Sequence, residues 1–182
     1  MTNADGPRGV RVVGRMGGGE PTMKEYDIDT GTATAIFIGD VAKLDTDGNA
    51  SVMAAASDDY IGPIVGLRDS DGKPVGTLAA STAGKMTVCI DPMAILEVQT
   101  EDGGTALTAA AIGDCADFIW THAGSGSRAG VELSETLVGN ANSAQMRILE
   151  KVDMPNNDWS EHYVRLLVIA AEHAFLDTPN AI

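Results

Sequence analysis

The 182-residue chain is long enough to bury a core without disulfides or metals, as one large domain or one domain with extensions. Its formal charge of −14 argues against a nucleic-acid binder, because phosphate contacts need clustered Lys and Arg. With 4% aromatic residues, three Phe and 21 Gly, the core must be built from small aliphatic side chains separated by many turns, as in all-β folds.

Residues 1–24 read as a flexible N-terminal arm. Met1–Thr22 hold six Gly and two Pro, one short apolar stretch (Val10–Val13) and the run Gly17-Gly18-Gly19, too little apolar content to order the segment alone. Arg8, Arg11 and Arg15 are a quarter of the chain's positive charges, and they are the candidates for contact with an adjacent subunit or a partner surface. Met1–Asp5 lack the basic and apolar regions of a signal peptide. The longest apolar run, Leu166–Ala171, is far short of the about 20 residues of a membrane span, so a chain made and kept in water is expected.

Residues 25–182 read as one β-rich domain. Ala35–Leu44 is a β-like run kinked at Gly39-Asp40, and Ala50–Ala54 follows the turn "DTDG". "IGPIVGLRD" then leads into a second turn, "DSDG", and "KPVGTLAA" leads out of it. "KMTVCI" and "AILEVQT" flank Asp91-Pro92, a dipeptide that favours an extended or turn backbone. Thr105–Gly113, "TALTAAAIG", predicts a short helix favoured by Ala and Leu and ended by Gly113. "ADFIWTH", "GVELSE" and "AQMRILEKVD" predict further strands, the last with Met146, Ile148 and Leu149 inward. His162–Phe175 suits either a buried helix or a strand, and its β-rich run "YVRLLVI" favours a long final strand. The fold class expected is mainly β, a small barrel or sandwich with at most one or two short helices and an extended N-terminal arm.

The two Asp-x-Asp-Gly loops invite a calcium reading. Counted from Asp45 or Asp69, however, the Gly falls at position 4 instead of 6, and Ala56 or Ala80 stands where an EF-hand needs its bidentate Glu. A type I turn closed by a Gly at positive φ explains both loops as hairpin tips, leaving only a weak surface cation site as an alternative.

Of the three histidines, His122 precedes a loop with Ser125 and Ser127, but no GxSxG elbow is present, and His162 and His173 flank the last apolar run as strand-end residues. Gly124, Gly126 and Gly130 miss the dinucleotide spacing by one, and no GK[ST] occurs. Asp58-Asp59 and Asp27/Asp29 read as solvated turn acids. Asn49-Ala50-Ser51 is a glycosylation sequon that would stay unused without secretion. Cys89 and Cys115 have no ligand or redox spacing and read as buried free thiols of a reducing cytosol. No catalytic, cofactor or metal site emerges.

The segments "IFIGDVAKLDTDGNASV", "YIGPIVGLRDSDGKPVG", "VCIDPMAILEVQTEDG", "AIGDCADFI", "GSGSRAGVEL", "AQMRILEKVD" and "YVRLLVIAAEHAF" together resemble a family of tailed-phage head decoration (cement) proteins. The resemblance covers roughly Tyr26–Phe175, and "DPMAILEVQ" followed by "IGDCAD" is its most telling part. It implies a mainly β subunit that binds the outer surface of a lattice of major capsid protein, as a homotrimer at local three-fold positions. No catalytic residue and no cofactor come with it, nor any contact with nucleic acid or membrane. The protein would be made in the host cytoplasm and end on the capsid exterior. Cys89, Cys115 and the arm have no counterpart in the pattern. The alternative is a β-barrel surface-binding module, such as a carbohydrate-adhering domain, which would need an aromatic platform from Trp120 or Trp159. An enzyme subunit is the third and weakest reading.

Overall fold

Short β-branched and aliphatic runs, broken by Gly, Asp and Pro, make fifteen strands among the described residues, which in this computed structural model are 3–6, 8–56, 58–120, 129–138 and 144–175. They are β1 (Arg11–Arg15), β2 (Met23–Asp27), β3 (Ile36–Phe37), β4 (Val41–Leu44), β5 (Ala50–Val52), β6 (Tyr60–Asp69), β7 (Pro74–Val75) and β8 (Thr77–Leu78). The second half adds β9 (Gly84–Cys89), β10 (Ala94–Gln99), β11 (Cys115–Ala116), β12 (Phe118–Trp120), β13 (Val131–Leu133), β14 (Met146–Lys151) and β15 (Arg165–Ala170). The protein is mainly β, as its composition predicts, and every strand pair is antiparallel. Among the described residues no helix is long and apolar enough to cross a membrane.

The pairings run in two circuits. In the first, the order is β2-β9-β6-β4-β5, and a parallel bridge from Ile28 to Ala50 returns β5 to the end of β2. In the second, β10-β15-β14-β11 is followed along the chain, one residue on, by β12, which pairs with β13, and a parallel bridge from Thr100 to Leu133 returns to the end of β10. Closing a sheet on itself removes open edges and encloses a core. The smaller core holds Tyr26, Ile28, Ile36, Ile61, Ile64, Leu67, Met86 and Val88. The larger holds Leu96, Val98, Phe118, Val131, Leu133, Met146, Ile148, Leu166 and Val168. The region expected to be one β-rich domain thus has two cores. Phe118 is the only Phe or Trp buried in either, and Met, Ile, Leu and Val fill the rest.

The cores share a wall. Val41, Tyr60 and Cys89 point into the larger core, while their neighbours Ala42, Ile61 and Val88 point into the smaller one. Strand alternation sends successive side chains to opposite faces, so β4, β6 and β9 are buried on both sides where they cross. Tyr60–Ile64 are accordingly buried without interruption. β6 is paired with β4 as far as Pro63 and takes up β9 from Ile64; at neighbouring Gly62 φ is +144°, and a β-carbon would lie 1.8 Å from the Cys89 carbonyl oxygen. Cys89 and Cys115 are buried free thiols.

Both Asp-x-Asp-Gly loops are hairpin tips. Asp45 N–H donates to Asn49 O and Gly48 N–H to Asp45 O, with Gly48 at φ +86°; Asp69, Lys73 and Gly72 (φ +79°) repeat this between β6 and β7. The carboxylates serve the turns themselves: Asp47 accepts from Asn49 N–H, and Asp69 from the Asp71 and Lys73 N–H groups.

The predicted helix over 105–113 shrinks to a 3₁₀ turn, Ala109–Ala111, capped by Thr108 Oγ1. Nine residues are too few to offset nucleation, and of this turn only Ala111 is buried, so there is no apolar face to hold a helix. Gly113, at φ +94°, does end the segment. The final strand is shorter than expected, Arg165–Ala170. Met146 and Ile148 are buried as predicted, but Leu149 sits at a register shift in β14 and is only half-buried.

The two kinds of Gly separate cleanly by experiment. Gly62→Ala should cost about 3 kcal/mol, because the methyl meets fixed backbone. Gly48→Ala has open space and should cost about 1 kcal/mol for the left-handed φ alone. Urea midpoints at unchanged m measure both, and equal shifts would contradict the close approach at Gly62.

Candidate functional site

Arg8, Arg11 and Arg15 do not lie on a free arm. Asn3 and the Asp158 backbone exchange two hydrogen bonds, of 2.8 and 3.0 Å. Val10 is buried in the larger core and its N–H donates to Gly39 O. Arg11–Arg15 form β1 at the edge of the five-stranded sheet, paired with β10 through Arg11↔Glu97, Val12↔Leu96 and Arg15↔Ala94, with a bulge between Val12 and Gly14. The expected flexibility of residues 1–24 is therefore replaced, over 10–16, by a strand held to its own chain. The physical reason is that Val10 and Val12 gain burial on a core the N-terminal segment could not build alone.

Asp91 is the clasp. It accepts from Arg15 Nε at 2.6 Å and Thr22 N–H at 3.3 Å through one oxygen, and from Met93 N–H at 2.9 Å through the other. Burial works to raise its pKa, but the Met93 amide, the Arg15 guanidinium and the Thr22 amide outweigh that and hold it below the ordinary carboxylate range. Arg15 is thus consumed inside the fold.

Arg11 and Arg8 remain at the surface, and a third guanidinium that sequence order conceals joins them. Glu97 on β10 lies 3.7 Å from Arg11 Nη1 on one side and 3.7 Å from Arg165 Nη1 of β15 on the other. Arg8, Arg11 and Arg165 line one small cleft with Glu97 and Gln99. The only sequence signal for Arg165 is a lone charge in the run "YVRLLVIA", and only strand pairing reveals its neighbours. On its other side β1 borders an open groove of about 600 Å³ lined by Val10, Val12, Val13, Met23, Ile38 and Val65. Val13, Met23 and Ile38 are 43%, 43% and 44% exposed. Arg11 lines both the cleft and the groove, so the basic and apolar surfaces are continuous.

Several other polar groups among the described residues serve structure. Glu135, its side chain fully buried, accepts from Thr100 Oγ1 at 3.2 Å and contacts His162 Nδ1 at 2.7 Å; Thr100 Oγ1 in turn accepts from Val164 N–H. Tyr163, at φ +61°, donates its hydroxyl to Asp102 at 2.8 Å, and that bond pushes its pKa up to about 12. Asp58 caps a turn through Lys43 and the Ala54 and Ala55 N–H groups. His162 and His173 lie just outside β15, and among the described residues neither bonds to a Ser, Thr or Cys side chain. His122, Ser125, Ser127, Gly124 and Gly126 lie outside the described residues. Among the described residues no three His, Cys, Asp or Glu side chains gather to hold a metal.

Two pH effects follow. Asp91→Asn should speed amide exchange over residues 11–15 and cost about 2 kcal/mol at pH 7. A depressed carboxylate stabilises above its unfolded pKa of about 4 and loses that contribution as pH falls through the folded value, so the gap between parent and variant should close in acid. His173 is 3% exposed, and burial lowers its pKa against the opposing pull of the Ile61 backbone and Asp91. The unfolded chain then takes up this proton first, below about pH 6.5, so stability falls with pH there, and His173→Asn should flatten the thermal midpoint between about pH 7 and 5.

No family model, curated protein or solved structure matches the chain.

Proposed function

We propose that the chain is a virion structural protein, a capsid decoration or cement subunit. It seats on the outer face of a major-capsid-protein lattice and stabilises the head, as a homotrimer at local three-fold positions. The segments from Tyr26 to Phe175 that resemble head decoration proteins support this reading. The observation that carries it in the structure is the apolar groove beside β1, with Arg11 at its rim. Exposed, contiguous apolar side chains next to positive charge are what a lattice-binding surface needs, and many identical weak contacts on one shell multiply by avidity.

Catalysis is the weaker reading, because the polar constellations of the described residues are engaged in turns and clasps. The carbohydrate reading is weakened by Trp120 and Trp159, which both pack against the larger core instead of forming an exposed platform. A formal charge of −14 suits a place on the capsid exterior, away from genome and membrane.

The test is to mix the purified chain with undecorated empty heads, then measure co-sedimentation and the melting temperature of the heads. The parent should bind and raise that temperature. Val13→Asp with Ile38→Asp should weaken binding by roughly tenfold or more while the chain's own melting shifts little, since both side chains are exposed. A parent that leaves heads unbound and unstabilised would overturn the proposal.

A further inference from the structure

Arg8, Arg11 and Arg165 are left with unspent binding capacity. Each guanidinium carries five N–H donors in a planar fork suited to carboxylates. The single carboxylate between Arg11 and Arg165 sits 3.7 Å from each, beyond the about 2.8 Å of a charge-assisted hydrogen bond. Among the described residues none of the three guanidiniums donates a hydrogen bond within the fold, in contrast to Arg15, which is bound to Asp91 and Gly18. The Arg11 side chain is 58% exposed. Three cations facing one anion leave a local surplus of positive charge.

That surplus stands out against the rest of the chain. Residues 1–24 hold Arg8, Arg11, Arg15 and Lys24 against Asp5 and Glu20, a formal +2, so residues 25–182 carry −16. Five of these acids gather at one place on the other core. There an open pocket of about 490 Å³ at the β4–β5 hairpin is lined by Asp29, Asp45, Asp47, Asp58 and Asp59, with Lys43 as its one cation. Lys43 is already paired with Asp58.

The geometry points to a head-to-tail contact between copies of this chain, in which the Arg8/Arg11/Arg165 cleft of one copy receives carboxylates from the acidic β4–β5 hairpin of the next. The two patches share no residue, so the contact is heterologous, and a heterologous contact that closes makes a ring. The net charge of −14 repels copies at long range, but a screening length of about 8 Å at physiological salt confines that repulsion and leaves the close contact intact. The choice of a second copy as occupant rests on the reading of the chain as a self-associating shell subunit. The under-bonded guanidiniums do not depend on that reading.

The test is sedimentation equilibrium of the full chain in about 0.15 M salt, with no shell present. The parent should self-associate. Arg11→Glu with Arg165→Glu should raise the dissociation constant by roughly thirtyfold or more, and Asp45→Lys with Asp47→Lys should do the same. Mixing the two reversed variants should restore association between unlike copies, as heterodimers or even-numbered assemblies, because each reversed patch then meets its complement, whereas a closed ring of three would keep one like-charged contact. Circular dichroism melting checks that the variants fold, and if the reversals do not, Arg11→Gln with Arg165→Gln should still weaken association roughly tenfold. A monomeric parent, reversals without effect, or a mixture that stays monomeric would each overturn the contact. A monomeric parent that still coats heads would overturn this contact alone, whereas a parent that associates through it yet binds no head would overturn the decoration reading.

Discussion

The wall between the two cores is the constraint on which the rest of the structure depends. Val41/Ala42, Tyr60/Ile61 and Val88/Cys89 are adjacent pairs whose members face opposite cores, so β4, β6 and β9 have no solvent face where they cross. A backbone buried on both sides must satisfy its hydrogen bonds within the sheet. The ladder does this by passing β6 from β4 to β9 between Pro63 and Ile64, next to Gly62, which lies against the Cys89 carbonyl. With small aliphatic side chains on both faces, strands approach closely and little volume is left to rearrange. Any side chain at residue 62 would separate β6 from β9 and disturb both cores together.

Closure of each circuit follows from that wall. The parallel bridges Ile28–Ala50 and Thr100–Leu133 join strand ends that would otherwise be open edges. Among the strands left at an edge is β1, and it is treated differently from a vulnerable edge strand. A bulge between Val12 and Gly14 interrupts its ladder, and Arg11 and Arg15 bracket it, devices that discourage indiscriminate pairing. The surface beside it therefore offers side-chain recognition, apolar in the groove and cationic in the cleft, in preference to strand addition.

Arg15 and Arg165 show how the surface beside β1 is assembled. Arg15 belongs to the arm by sequence but is spent on Asp91, where it fastens β1 and the chain entering β2 to the β9–β10 corner. Arg165 is distant in sequence, yet strand pairing sets β10 between β1 and β15, so Glu97 is shared by Arg11 and Arg165. The N-terminal segment crosses from one core to the other, with Val10 in the larger and Val10 N–H bonded to Gly39 beside the smaller. It thus helps to fix the relative placement of the two cores as well as presenting charge.

The mainly β character was legible in the sequence, because β-branched runs, abundant Gly and scarce aromatics are local properties of the chain. The two Asp-x-Asp-Gly turns were legible for the same reason: an Asp that bonds the next backbone N–H groups and a Gly at positive φ act within five residues. The helix over 105–113 failed since Ala-rich propensity is weak without an apolar face to bury, and burial is not local. The arm was misread because its few valines look insufficient until the core that receives them exists. The two-core wall, the Asp91 clasp and the partnership of Arg11 with Arg165 were decided only by tertiary structure, since each joins residues whose separation along the chain says nothing about which strands lie side by side.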